Sequence, residues 1–211
     1  MSLTDRQIEA YSRQLILPEY SGAAQEKLLA VRIEISGHGL AAQTAASYLA
    51  GAGVGTLYID QALHQPGLFV PPNQRSADTV LQARPAALPL DVLIETDAIE
   101  SIQSRTPIRC GILRIEENAA GETCLQQFPA ATFPRACPIC HPRSRPAASG
   151  DPAAAAIAGC LSALVALRWI VSPVEREEPC FQKLHPGDST FSRDAEPPEQ
   201  PCHCLPPAQN S

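Results

Sequence analysis

Residues 31–60, VRIEISGHGLAAQTAASYLAGAGVGTLYID, constrain this chain more than any other stretch. Val31, Ile33 and Ile35 alternate with Arg32 and Glu34, the period of a strand. Gly37-His38-Gly39 follows at once, then an Ala-rich helical run from Leu40 to Ala50, ended by Gly51 and Gly53. Val54 to Ile59 give a second apolar strand with Asp60 at its end. A parallel βαβ unit of this kind puts backbone N–H groups and a helix N-terminus where a phosphate can sit. The spacing G-x-G-x-x-G/A reads Gly37, Gly39, Ala42, and an acidic residue about 20 positions on, here Asp60, is placed to hold a ribose hydroxyl. The plain alternatives are an ordinary strand–helix turn for the glycines and a turn residue for Asp60.

The chain has 211 residues, the size of one domain with a real core. Hydrophobic residues make up 45% and charged residues 18%, a globular composition. The net charge of −6 argues against a nucleic-acid surface. The polar start, MSLTDRQIEA, carries no secretory pattern, so a cytoplasmic location is expected. The longest apolar run, Ala153 to Leu167, is shorter than a membrane span and reads as a buried helix, so no membrane partner is expected.

Elsewhere the pattern predicts a helix over 5–17 capped by Thr4, a second over 22–30, a loop over 61–75 and a short polar helix over 76–83. Asp91 to Glu95 reads as a buried strand, with Thr96-Asp97 ending it and capping a helix over 98–104. Residues 108–115 and 122–128 read as a hairpin. Residues 129–152 hold too many prolines for regular structure. Pro152, behind the cap Asp151, opens a long helix to Val171, and short strands are expected near 179–184 and 189–193.

Cys137-Pro138-Ile139-Cys140 is a C-x-x-C in a Pro-rich loop, and Cys202-His203-Cys204 lies in another. Two such pairs suit a closed tetrahedral structural zinc site, with His203 or His141 as possible replacements for one ligand. Unrelated loop thiols, or a redox pair, are the alternatives. Cys110, Cys124, Cys160 and Cys180 fall in strand or helix patterns and read as buried small hydrophobes.

These pieces together resemble the ThiF/MoeB/HesA family, relatives of ubiquitin-activating enzymes. Tyr11 to Leu17, YSRQLIL, is similar to the family's Y-x-R-Q-x-x-L. Tyr48 to Gly55, YLAGAGVG, is close to its Y-L-A-x-A-G-V-G, and Leu93 to Asp97 is similar to the strand ending in T-D-N. The two cysteine pairs resemble its two-part zinc site. The resemblance implies an α/β fold, a Rossmann-like doubly wound and mostly parallel sheet with an antiparallel extension and a Cys-type zinc site. It implies one domain over 1–211: N-terminal helices at 1–30, a nucleotide-binding half at 31–104, a second half with a crossover helix at 105–194, and a Pro-rich tail at 195–211.

The activity the resemblance implies is adenylation, with ATP and magnesium, of the C-terminal carboxylate of a small ubiquitin-like or sulfur-carrier protein. It implies a homodimer. Gly37 and Gly39 would face the nucleotide, Asp60 the ribose, and Asp97 the magnesium. Asn73 and Arg75 echo a nucleotide-contacting S-N-L-x-R-Q segment. Arg13 would reach the phosphates of the neighbouring subunit. Asp97 as a helix cap and Arg13 as a solvated arginine are the plain readings. Among the chain's departures from the family, Leu40 stands where it has a third glycine and Ala42 where it has a fourth, Ala98 stands where it has Asn, no lysine occurs between Lys27 and Lys183, the segment before Asp91 is short, and no cysteine stands in 141–152. These departures fit the alternative of a non-catalytic relative that keeps the zinc-stapled fold and a partner-binding surface.

Overall fold

In the computed structural model the described residues are 3–18, 20–37, 39–59, 76–85, 88–96, 108–117, 122–130, 145–146, 151–172, 180–185 and 190–194. Three short helices open the chain: α1 (Asp5–Ala10), α2 (Ser12–Leu15) and α3 (Gly22–Ala30). The nucleotide-type unit follows as β1 (Arg32–Ser36), α4 (Leu40–Gly51) and β2 (Thr56–Ile59). Then come β3 (Val80–Gln82), β4 (Leu90–Glu95), β5 (Ile108–Glu117), β6 (Thr123–Pro129), β7 (Arg145–Pro146), α5 (Pro152–Val171), β8 (Cys180–His185) and β9 (Thr190–Asp194).

The described strands form one mixed sheet in the order β3-β2-β1-β4-β5-β6-β8-β9, with β7 paired to β5. From β3 to β5 every pairing is parallel; from β5 to β9 every pairing is antiparallel. The chain leaves β1 toward β2 on one side and returns to β4 on the other. The strand order therefore reverses between β1 and β4, which opens a crevice at their carboxyl ends.

Alternation along the strands separates two layers. Ile33, Ile35, Leu57, Ile59, Val92, Ile94, Leu113 and Ile115 face a core closed by α3, α4 and α5. Tyr58, Leu93, Ile112 and Phe128 form a smaller cluster on the other face. Two glycines let the layers close. A Cβ on Gly55 would stand 1.9 Å from the Leu29 carbonyl oxygen, and one on Gly159 of α5 would stand 2.3 Å from the Ala41 carbonyl oxygen of α4.

Two expectations need correction. Residues 76–83 are not a helix: Ser76 to Asp78 turn, and Val80–Gln82 pair in parallel with β2 as the edge strand. Val80 is β-branched, and its N–H bonds Gly55 O at 2.9 Å, so the ladder outcompetes a short helix with no apolar face. The helix over 5–17 breaks at Tyr11, whose backbone (φ −101°, ψ 10°) leaves the helical region. Its side chain turns inward, covers Gly53 and hydrogen-bonds Ser76 and Asp78. One smaller difference lies in the Pro-rich stretch, where Arg145–Pro146 pair with Glu116 and Glu117. The other expected elements within the described residues stand, α5 with its Asp151 cap and Pro152 at the first turn included; the loop over 61–75 and the helix over 98–104 lie outside the described residues.

Candidate nucleotide site

The site grows from the end of β1. Gly37 is buried and has φ +124°, a backbone that L side chains rarely adopt. Gly39 is the N-cap of α4, extended at φ −71° and ψ −178°, and no side chain caps the helix. The first helical hydrogen bond runs from the Gln43 N–H to the Gly39 carbonyl at 3.1 Å. The amides of Leu40, Ala41 and Ala42 thus have no acceptor within the helix and point from its positive end, the arrangement that receives a phosphate. Leu40 occupies the first helical position with 43% of its surface exposed, so it is not packed into the turn.

The far wall of the crevice is the end of β4. Thr96 is buried; its N–H donates to the Ser36 carbonyl at 2.8 Å and its hydroxyl to the same oxygen at 3.2 Å. This double bond to one acceptor fixes the β4 exit beside the β1 turn. Asp97 is the next residue, but Asp97, Asp60, Asn73 and Arg75 lie outside the described residues, as do His38, Cys137, Cys140, Cys202, Cys204, His141 and His203. Of the expected site residues the structure describes Gly37, Gly39 and Arg13, and the two glycines lie together at the crevice. Arg13 lies in α2, exposed, two residues beyond the anchored Tyr11.

Sequence reasoning missed a polar row on the sheet face away from the helices. Ser36, Glu95, Arg114 and Gln126 are registered neighbours across β1, β4, β5 and β6. Arg114 Nε lies 3.1 Å from Glu95 and 3.4 Å from Glu116, all three almost fully buried. Gln126 donates to Glu116 at 3.3 Å, and the guanidinium sits 5.4 Å from the Phe128 ring centroid. Buried ion pairs add little net stability once desolvation is counted. This one ties β4 to β5 and β6 within one residue of Thr96. The alternation Leu113-Arg114-Ile115-Glu116 was its only signal in the sequence.

Farther down the same face Glu34 pairs with Arg84. Burial pushes the Glu34 carboxyl above its usual range, and Arg84 pulls it partly back. The thiol of Cys110 is pushed up mainly by burial and secondly by Asp91, which suits a packing role. Cys110, Cys124, Cys160 and Cys180 are not in disulfides and are half-buried rather than fully buried. Among the described residues no cluster of His, Cys, Asp or Glu could hold a metal. Helix α5 is long and apolar enough to cross a membrane by length and composition, and half of its apolar window is buried within the protein.

An open sheet with parallel strands, a glycine turn into a helix at the switch point and an antiparallel extension defines a Rossmann-like α/β fold. The same fold is found in Escherichia coli MccB solved with ATP, which superposes with a TM-score of 0.60 at 15% identity, over 88% of this chain and 70% of MccB. PaaA superposes with a TM-score of 0.60 at 14% identity, over 92% of this chain and 74% of its own. In sequence, the chain is 44% identical over 59 residues to the heterocyst protein HesA of Trichormus variabilis, and 43% identical over 68 residues to the sulfur carrier protein ThiS adenylyltransferase of Escherichia coli. These matches cover 28% and 31% of this chain, and span only 22% and 27% of those relatives. No protein-family model matches the chain. Over part of its length the chain is therefore similar in sequence to HesA and to the ThiS adenylyltransferase, and as a whole it shares the fold of MccB and PaaA.

Proposed function

We propose that this chain binds ATP at the Gly37–Leu40 turn and adenylates the C-terminal carboxylate of a small ubiquitin-like or sulfur-carrier protein. The observation that carries the reading is the left-handed, buried Gly37 leading into the uncapped N-terminus of α4 at the β1/β4 switch point. The relatives add support: MccB has been solved with ATP and with MccA-derived ligands, and the ThiS adenylyltransferase is named for a sulfur carrier. In the reaction a carboxylate oxygen attacks the α-phosphorus, the bond to the bridging oxygen breaks, and pyrophosphate leaves. The chain's share is to neutralise phosphate charge with the α4 amides and to hold the acceptor in line. Asp97 supplies a carboxylate for magnesium, Asp60 holds the ribose, Asn73 and Arg75 add nucleotide contacts, and Arg13 serves the site of a second copy. Cys137, Cys140, Cys202 and Cys204 hold a structural zinc.

A second reading, a non-catalytic partner-binding relative, is favoured by Leu40 at the first helical position and by the lack of a lysine between Lys27 and Lys183. Magnesium-dependent ATP–pyrophosphate exchange, run against a panel of small carrier proteins ending in Gly-Gly, separates the two. The adenylation reading expects exchange that falls by about 100-fold or more in Asp97→Ala, the scale of one lost transition-state contact. Carrier binding without any exchange establishes the second reading instead.

A further inference from the structure

We propose that Tyr11 is a positioning residue for the adenylation site: its hydroxyl, bonded to Ser76 and Asp78, fixes where α2 leaves the body of the chain and so where Arg13 stands. This rests on the adenylation reading, in which Arg13 meets phosphate, and names what aims that arginine. Helices α1 and α2 have little else to hold them. Neither buries a residue, and of residues 3–18 only Tyr11 is buried, at 3% exposure. Helices of six and four residues are too short to be stable alone. With so little apolar surface covered, their direction is set by the polar contacts they make at one turn.

That turn is itself firmly held. The Ser76 N–H donates to the Ala50 carbonyl at 3.0 Å, and the Thr79 hydroxyl donates to the same oxygen at 3.2 Å. The Asp78 N–H donates to Ser76 Oγ at 3.2 Å. The turn is thus fastened to the carboxyl end of α4, the helix whose amino end is the proposed phosphate site. Tyr11 lays its hydroxyl on this turn, against Ser76 Oγ and 2.9 Å from Asp78 Oδ2. The other Asp78 oxygen accepts from Arg6 at 2.5 Å and from Gln7 Nε2 at 3.4 Å, both in α1. The Tyr11 ring fills the space that a β-carbon on Gly53 would need, with Gly53 at φ +83°. Arg13 follows two residues on, exposed, in the single helical turn that Tyr11 caps. A turn about 6 Å long carries the placement of its cap directly to that arginine.

A double-mutant cycle tests this on the full chain. Magnesium-dependent ATP–pyrophosphate exchange with the panel of Gly-Gly-ended carriers is measured for Tyr11→Phe, Arg13→Ala and the double variant, with circular dichroism confirming that each is folded. Tyr11→Phe keeps the ring over Gly53 and removes only the hydroxyl. It is expected to lower kcat by about 10-fold, the rate equivalent of one net hydrogen bond, with KM for ATP unchanged. Arg13→Ala is expected to lower kcat by about 100-fold. The double variant is expected to be no slower than Arg13→Ala alone, because no arginine is left to aim. Ser76→Ala removes the hydroxyl that Tyr11 meets and is expected to repeat the pattern, which covers a Tyr11→Phe that fails to fold. Losses that multiply with that of Arg13→Ala, or exchange unchanged in both Tyr11→Phe and Ser76→Ala, overturn the positioning role while adenylation stands. A wild type without exchange overturns the adenylation reading and the positioning role with it.

Discussion

At the scale of single residues, the site depends on backbone that only one side chain permits. Gly37 holds φ at +124° in a buried turn, so a β-carbon there forces the chain out of the path from β1 into α4. Gly37→Ala is expected to lower stability by about 1–3 kcal/mol, read as a shift in the urea midpoint, and to abolish ATP binding in calorimetry. An unchanged midpoint would show that the turn tolerates a β-carbon. The glycine pair was legible in the sequence because turn glycines sit at fixed offsets from a strand and a helix. The clamp of Thr96 on Ser36 was not, because it depends on which strand lies beside β1.

At the scale of elements, what was readable is what local chemistry decides. Asp151 and Pro152 set the start of α5 because a capping carboxylate and a fixed φ act within one turn. The edge strand β3 was not readable, since three residues carry little periodicity and its pairing partner is over twenty positions away. The break at Tyr11 was hidden for a related reason: its cause, contacts with Gly53, Ser76 and Asp78, lies far along the chain. The polar row through Glu95, Arg114 and Gln126 exists only once the register of four strands is fixed. The pairing of α4 with α5 shows how such long-range fits are enforced. Gly159 lets the helices touch backbone to backbone, its missing β-carbon facing Ala41 O and Thr44. Gly159→Ala is expected to push the helices apart and cost about 1–3 kcal/mol, although alanine is the better helix former by up to about 1 kcal/mol. Thermal unfolding of the variant measures the sign, and a raised melting temperature would mean that the pair relaxes without strain.

At the scale of the whole molecule, the sheet's antiparallel end bears on the zinc proposal. Strand β8 runs antiparallel to both β6 and β9, so β6 and β9 run the same way and their carboxyl ends, Pro129 and Asp194, leave the same end of the sheet. Strands two places apart are separated by about 10 Å. Cys137 follows the end of β6 by eight residues, and Cys202 follows the end of β9 by eight. Eight residues can reach about 26 Å, so both cysteine pairs start within range of one tetrahedral site. A metal joining them would close two Pro-rich segments that have few apolar residues to bury, and its binding energy would count as folding energy. Freshly purified protein is therefore expected to carry about one zinc per chain by elemental analysis. Prolonged chelation, or Cys137→Ser with Cys140→Ser, is expected to lower the melting temperature while far-UV circular dichroism at room temperature keeps the helix signal of α3 to α5, which pack on the sheet. Less than about half an equivalent of zinc, or a melting temperature unmoved by chelation, would leave the four thiols without a shared ion.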